Sequence, residues 1–188
     1  LIGNNILFHG GIAYNGEILN DCFFLNLGIN KWQHCDVHSR FPSPKLYGHS
    51  ACIVLPKEYL DKKLEIYSFP EMELNNCKIK EKGLYVFGGK SKEDGGISNK
   101  IWILILGQKP VKWISPETKG KLPSPRYFHS MSYYEIANLL FIHGGRNDVV
   151  SENSALNDTY AFDLETFEWI NVELYSNLAK FKIMNRCG

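Results

Sequence analysis

The sequence predicts an all-β protein built from a repeated unit of four antiparallel strands. Three short apolar runs each end in a Gly-Gly pair, at Gly10-Gly11, Gly88-Gly89 and Gly144-Gly145. A tryptophan follows each pair at a nearly constant distance, at Trp32, Trp113 and Trp169. No segment carries the apolar period of a helix over a useful length. Repetition at a nearly fixed spacing indicates a stack of similar units.

Each unit divides into four predicted strands. The first begins near a His-Ser pair, the second is the run that ends in Gly-Gly, the third opens at Asn-Asp or a near equivalent, and the fourth carries the tryptophan. The third strands are rich in β-branched and aromatic residues, as strands usually are. The predicted first strands are 47–55 and 128–134, and the predicted third strands are 22–27, 101–106 and 159–164.

Several residue types have an expected structural role in each unit. The glycines allow a backbone turn or a close approach that a Cβ would obstruct. The tryptophan fills the space between outer strands. The Asn or Asp that opens the third strand accepts N–H bonds from the preceding loop. Residues 163–169 are predicted to form a hairpin, because a polar turn separates two strand-like segments.

The second unit contains an insertion between its first and second strands. His49 lies much farther before Gly89 than the corresponding His129 lies before Gly145. The extra length falls in the charged stretch 57–82. Once this stretch is discounted, the three tryptophans recur at an almost constant interval, which supports the alignment of the units. The insertion is either a second docking element or a tolerated loop.

The combination of motifs resembles the kelch repeat. It consists of the Gly-Gly runs, Asn-Asp pairs such as Asn157-Asp158, the spaced tryptophans, and Pro-Arg-x-x-His at 125–129. The resemblance covers nearly the whole chain outside the insertion. It implies a β-propeller made of four-stranded antiparallel blades, of which this chain holds an incomplete portion, about half of a six-bladed ring.

The resemblance also predicts how the chain divides into blades. We expect a blade without its first strand at 1–39, a blade with the insertion at 45–119, a complete blade at 126–175, and the approach to another blade at 176–188. An open stack leaves a blade face and strand edges uncovered. We therefore expect the remaining blades to come from the same chain or from a partner chain.

The function predicted from the resemblance is that of a non-catalytic protein-interaction module or scaffold. One alternative is a regulatory or substrate-recognition domain of a larger assembly, such as a Ser/Thr phosphatase with kelch repeats or a ubiquitin-ligase adaptor. Another alternative is a metal-dependent enzyme with this fold. The residues themselves provide no catalytic motif, cofactor site or metal-ligand spacing, so none is predicted.

The predicted partner-binding surface lies on one face of the blades. Strands alternate in direction, so the loops after the second and fourth strands of each blade emerge together, and loops on a rigid scaffold often carry recognition. The candidate residues are Tyr14, Asn15, Lys90, Arg126 and Arg146. The alternative is that Arg126 ties one blade to the next and that the others are solvated loop residues.

Two apparent motifs are better explained by the repeat. The sequence ending Gly-Gly-Lys-Ser at 88–91 lacks the first glycine of a phosphate-binding loop and is not followed by a helix. His9 and His143 occupy a position where the second unit has Phe87, which indicates a packing role. We expect His49 and His129 to be bonded within their own blades.

Net charge and cysteine content limit the classes of protein to which this chain can belong. The net charge of +1 argues against a general nucleic-acid or membrane-surface binder. The five cysteines are odd in number and form no Cys-x-x-Cys motif, which favours a reduced, intracellular and cytoplasmic protein.

Overall fold

The structure, a computed structural model, describes residues 3–55, 81–107, 109–148 and 155–172. In these residues the chain is all-β, and its one short helical segment is a 3-10 turn at Glu135–Ala137. The predicted fold class is therefore confirmed. Most of the predicted insertion 57–82 and all of the segment 176–188 lie outside the described residues.

The first blade contains β1 (Asn5–Ile12), β2 (Ile18–Asn26) and β3 (Lys31–His34). They form an antiparallel sheet in the order β1-β2-β3. The register of β1 against β2 shifts between His9 and Gly11, where the Gly-Gly pair interrupts the ladder. The strand continues past the glycines here, whereas the Gly-Gly pairs of the other two blades follow the end of the strand.

The second blade begins with β4 (Ser50–Val54) and β5 (Gly83–Phe87). A small hairpin of β6 (Lys90–Ser91) and β7 (Gly96–Ile97) follows and forms a separate two-stranded sheet that the sequence did not predict. The blade is completed by β8 (Ile101–Ile105) and β9 (Lys112–Ile114). Its antiparallel sheet has the order β4-β5-β8-β9.

In the residues that the structure describes, the third blade has five strands. They are β10 (Lys119–Gly120), β11 (Ser130–Tyr134), β12 (Leu139–His143), β13 (Thr159–Asp163) and β14 (Glu168–Asn171). Their order in the sheet is β10-β14-β13-β12-β11. The predicted hairpin at 163–169 is confirmed, since β13 and β14 pair antiparallel. Strand β10 was not predicted; it pairs in parallel with β14.

Hydrogen bonds from a side chain to the backbone explain where the chain turns after β13 and after β2. The Asp163 side chain accepts the N–H groups of Glu165 and Thr166, at 2.8 and 3.2 Å. In the first blade Asn26 accepts the N–H groups of the residues two and three positions ahead in the same way. Short polar side chains that bond the backbone a few residues ahead favour such turns.

Apolar packing occurs mainly between blades. One buried cluster joins the first and second blades and includes Cys22, Leu46 and Trp113. A second cluster joins the second and third blades and includes Phe87 and Trp169. A single sheet cannot bury both of its faces alone, so each blade is stabilised by its neighbour.

The Gly-Gly pair lies where one blade meets the next. Gly88 and Gly89 have φ angles of 65° and 92°, in the region that favours glycine. A Cβ on Gly88 would lie 2.5 Å from the carbonyl oxygen of Arg126, and the Gly89 N–H donates to that same oxygen at 2.8 Å. Close approach of two backbones therefore explains the glycines, as the sequence predicted.

The predicted role of the Asn-Asp pair is only partly right. Asn20 and Asn99 donate to carbonyl oxygens, those of Ser43 and Pro123, at 3.4 and 3.2 Å. They therefore tie the third strand of one blade to the segment that leads into the next blade. Asp158 binds a buried arginine side chain. These bonds join neighbouring segments and differ from the expected acceptance of N–H groups from the preceding loop.

Candidate functional site

Four side chains of the second and third blades meet at one surface point, which we call the Lys90 cluster. It consists of Lys90, Tyr127, Arg146 and Asp148. The Lys90 Nζ lies 3.2 Å from Asp148 Oδ2 and 4.2 Å from the centre of the Tyr127 ring. The Tyr127 hydroxyl donates to the same Asp148 oxygen, and Arg146 lies 3.5 Å from the other one. The cluster therefore spans the junction between two blades.

The repeat positions both cations of the Lys90 cluster. Lys90 and Arg146 each follow a Gly-Gly pair directly. Their backbones form antiparallel bridges to Tyr47 and Tyr127, which occupy equivalent places before the first strands. The two blades thus present a cation and a tyrosine in the same local arrangement. Sequence reasoning selected the cations but missed Tyr127 and Asp148.

Mutual interactions shift the pKa of two members of the Lys90 cluster. The Tyr127 hydrogen bond holds the pKa of Asp148 below its usual value; desolvation opposes this effect, and Lys90 and Arg146 add to it. Partial burial by itself lowers the pKa of Lys90, but its hydrogen bond to Asp148 and the nearby tyrosines raise it overall. Both groups are charged at neutral pH.

The cluster remains open to solvent. The side chains of Lys90, Asp148 and Arg146 are 28%, 33% and 48% exposed. A carboxylate of this chain is thus held by two cations that a partner could also reach and by the Tyr127 hydroxyl, whose residue is only 4% exposed. Such groups are well suited to bind a carboxylate or another hydrogen-bond acceptor.

Arg126 differs from the other predicted candidates because it is fully buried. Its guanidinium binds both oxygens of Asp158, at 2.6 and 2.9 Å, and donates to the Gly144 carbonyl at 3.1 Å. Its backbone bonds the second blade through Ser98 and Gly89. Arg126 has no exposed surface, and these bonds join the second blade to the third.

Tyr14 and Asn15 lie at the tip of the turn between β1 and β2. Tyr14 is fully exposed. The Asn15 side chain accepts the N–H of Glu17 at 3.0 Å and so shapes the turn. These two residues belong to the first blade, whereas the Lys90 cluster joins the second and third. The five candidates therefore do not form a single cluster.

The histidines are arranged differently from the sequence expectation. His9 of the first blade contacts His49 of the second, with 3.3 Å between Nδ1 and Nε2. His129 of the third blade hydrogen-bonds Ser50 of the second. The expectation that His49 and His129 bond within their own blades was wrong, because each imidazole extends toward the preceding blade. A Cβ on Gly88 would lie 3.0 Å from the His129 ring.

Burial suppresses the charge of these histidines. It lowers the pKa of His9 to about 3, with a further contribution from His49, and that of His49 to about 4. Burial is the main cause that lowers the pKa of His129 to about 4, and the nearby Arg126 and His49 lower it further. The neutral rings therefore act as packing groups at neutral pH.

Within the described part of the chain, no three His, Cys, Asp or Glu side chains are grouped to hold a metal ion. No helix among those residues is both long and apolar enough to cross a membrane.

Comparison with known proteins identifies the repeat. The family model described as the KLHDC2/KLHL20/DRC7 Kelch-repeats domain matches residues 75–180. Human host cell factor 2 is 29% identical over 190 residues, which cover 92% of this chain and 20% of that protein. Adagio protein 3 of Arabidopsis thaliana is 28% identical over 167 residues, which cover 88% of this chain and 22% of that protein.

A shorter match involves a protein named for an enzyme. The "Probable serine/threonine-protein kinase" of Dictyostelium discoideum is 38% identical over 107 residues, covering 55% of this chain and 7% of that protein. The chain thus spans less than a quarter of each of these three relatives. The family model covers more than half of the chain, and together with the observed blades it establishes that the chain belongs to the kelch-repeat family.

Proposed function

We propose that this chain is a non-catalytic protein-interaction module that recognises its partner through the Lys90 cluster. The loops after the second and fourth strands of the blades form the recognition surface, with Tyr14 and Asn15 as a separate contact on the first blade. An intracellular, cytoplasmic scaffold is part of this proposal. Kelch domains generally bind other proteins, which supports the class of function.

The observation that carries the proposal is that three donors from two blades bind the carboxylate of Asp148. Lys90 lies 3.2 Å from its carboxylate, Arg146 lies 3.5 Å away, and Tyr127 donates a hydrogen bond. An acidic or carbonyl group of a partner can use the two partly exposed cations, Lys90 and Arg146, either beside Asp148 or in its place. Because the donors sit on rigid strand ends, little ordering is needed on binding.

A second candidate is a recognition or regulatory domain within a larger enzyme or adaptor. The similarity to a protein named as a kinase favours this candidate. A kelch domain attached to a phosphatase, or one within a ubiquitin-ligase adaptor, would have the same organisation. The chain would then present a substrate to a catalytic unit elsewhere. Both candidates use the same surface and differ in what is attached to it.

Affinity capture with charge-reversed variants tests the proposal. The variant Lys90→Glu/Arg146→Glu reverses both cations of the Lys90 cluster. Its control is Lys31→Glu/Lys112→Glu, which makes the same charge change at two positions directly before a tryptophan, after the third strands. Full-length protein, wild type or variant, is tagged and recovered from its native cells, and the associated proteins are quantified by mass spectrometry.

The expected result is that only the Lys90/Arg146 variant loses its partners. Partners recovered with the wild type should fall at least about tenfold with the Lys90/Arg146 variant, a change equivalent to about 1.4 kcal/mol. The control should retain them. Equal recovery with both variants, while circular dichroism shows both to be folded, contradicts this choice of surface.

A further inference from the structure

Two cysteines of the first blade stand opposite each other on neighbouring strands. Cys22 lies in β2, and Cys35 directly follows the end of β3. The register pairs Phe23 with His34, so the next pair along the ladder is Cys22 with Cys35. The Cys35 N–H donates to the Cys22 carbonyl at 2.9 Å, which extends the ladder to this pair. Directly opposed residues point to the same face of a sheet.

The backbone spacing of such a pair suits a disulfide. Opposed residues at a hydrogen-bonded position of an antiparallel ladder have Cα atoms about 5.5 Å apart. Disulfides span roughly 4.4–6.8 Å between Cα atoms, and most lie near the middle of this range. A bond between Cys22 and Cys35 therefore requires a change of side-chain torsions and little backbone movement.

The thiols are in contact and are shielded from solvent. They share a hydrogen bond, and this bond together with burial raises the pKa of Cys35. Cys22 and Cys35 are 1% and 0% exposed, in the cluster that also holds Trp113. Oxidation from the closed state is consequently slow, since the reactive form is the thiolate. Access runs through β3, an edge strand of its sheet whose residues are all exposed.

We propose that Cys22 and Cys35 form a reversible regulatory disulfide that links β2 to β3. The oxidant is a small-molecule disulfide such as oxidised glutathione. One cysteine thiolate attacks it, releases one glutathione thiol and forms a mixed disulfide; the second cysteine then displaces the other glutathione. In total, two protein thiols are oxidised to one disulfide, and one oxidised glutathione is reduced to two thiols, so that atoms and electrons balance.

The expected physical consequence is a stabilised first blade. The bond closes a short loop between positions 22 and 35, which restricts the unfolded chain. The mid-point of thermal unfolding should rise by roughly 5–10 °C on oxidation. Because the pair adjoins Trp113, the contact between the first and second blades should also become more resistant to opening.

Peptide mapping tests the bond directly. The protein is equilibrated in buffers with graded ratios of oxidised to reduced glutathione, alkylated, and digested with trypsin. Lys31 is the one tryptic site between the two cysteines, so oxidised protein should give the peptide that ends at Lys31 joined to peptide 32–40. Reduction should separate them. The background carries Cys77→Ser and Cys187→Ser so that the remaining thiols of 1–188 are Cys22, Cys35 and Cys52.

Two variants define the outcomes. Cys35→Ser should abolish both the joined peptide and the rise in thermal mid-point. Cys52→Ser should retain both, since Cys52 lies in the second blade. The proposal is overturned if Cys22 and Cys35 remain alkylatable after equilibration in oxidised glutathione, or if they yield only glutathione adducts. The wild-type peptide map decides this even where Cys35→Ser fails to fold.

Discussion

The indole of Trp169 packs against the Phe87 ring of the preceding blade, with centroids 4.8 Å apart. Trp113 makes the equivalent contact with His9, at 4.5 Å. Each of these tryptophans therefore packs on the residue that precedes Gly-Gly in the previous blade. Trp32 has no such blade beside it in the described part of the chain; it is 60% exposed and contacts Phe8 of its own sheet.

Replacing Trp169 with alanine should strongly destabilise the chain. The residue is 3% exposed, and removal of a buried tryptophan leaves a cavity that costs about 3–5 kcal/mol. Urea unfolding followed by circular dichroism measures the loss. Trp32→Ala is the matched control at the same repeat position, and in a protein of residues 1–188 alone it should cost about 1 kcal/mol or less. Similar losses for both variants would contradict the proposed packing between blades.

The pair of Arg126 and Asp158 should be strongly coupled. In the second blade Leu46 and Lys100 occupy the equivalent positions, so the repeat accepts a neutral residue and a lysine at these two places. Asp158→Lys alone leaves the buried guanidinium unpaired beside a second cation and should cost about 3–5 kcal/mol. The double variant Arg126→Leu/Asp158→Lys should recover at least half of that loss in urea unfolding. A double variant whose loss equals the sum of those for Arg126→Leu and Asp158→Lys refutes the coupling.

Stability should fall as the pH is lowered from 6.5 toward 4. The pKa of His49 and of His129 is about 4 in the folded state, and that of His9 is about 3, below the ordinary value of 6.5. Between these values the unfolded chain binds protons that the folded chain excludes, so acid favours unfolding. The loss levels off below the folded pKa values. Roughly 1–3 kcal/mol for each histidine is the expected scale, measured by urea unfolding at a series of pH values.

A phenylalanine substitution separates this effect from carboxylate titration. His9→Phe should reduce the pH dependence between 6.5 and 5, because Phe87 occupies the equivalent position in the second blade and the ring shape is accepted there. The control His143→Phe makes the same substitution at an exposed ring, at the same repeat position. An unaltered slope in His9→Phe would show that His9 does not contribute.

The Gly-Gly, tryptophan, His-Ser and Asn-Asp positions predicted where the main strands of each blade lie, although β2 begins at Ile18 and not at the predicted residue 22. Register within a blade follows from the alternation of side chains and from turn residues such as Asp163, and both are local in sequence. The small hairpin β6-β7 and the strand β10 were missed, since these strands are too short to show a periodic pattern.

Contacts between blades were much less predictable. Lys90 contacts Tyr127 and Asp148 across the junction between two blades. The numbers of residues that separate them in the sequence match no repeat period, so the pattern could not predict these contacts. Within the first blade, Cys22 and Cys35 are opposed by the strand register, although no Cys-x-x-Cys motif joins them in the sequence. The role of Arg126 was ambiguous for a similar reason, because its partner Asp158 lies far along the chain on a different strand.

The most direct test of the account is the affinity of a recovered partner for purified variants. Isothermal titration calorimetry should give a dissociation constant at least about tenfold weaker for Lys90→Glu/Arg146→Glu than for the wild type, equivalent to about 1.4 kcal/mol. The control Lys31→Glu/Lys112→Glu should bind with wild-type affinity. If the two variants bind the partner equally well, the Lys90 cluster is not the recognition surface.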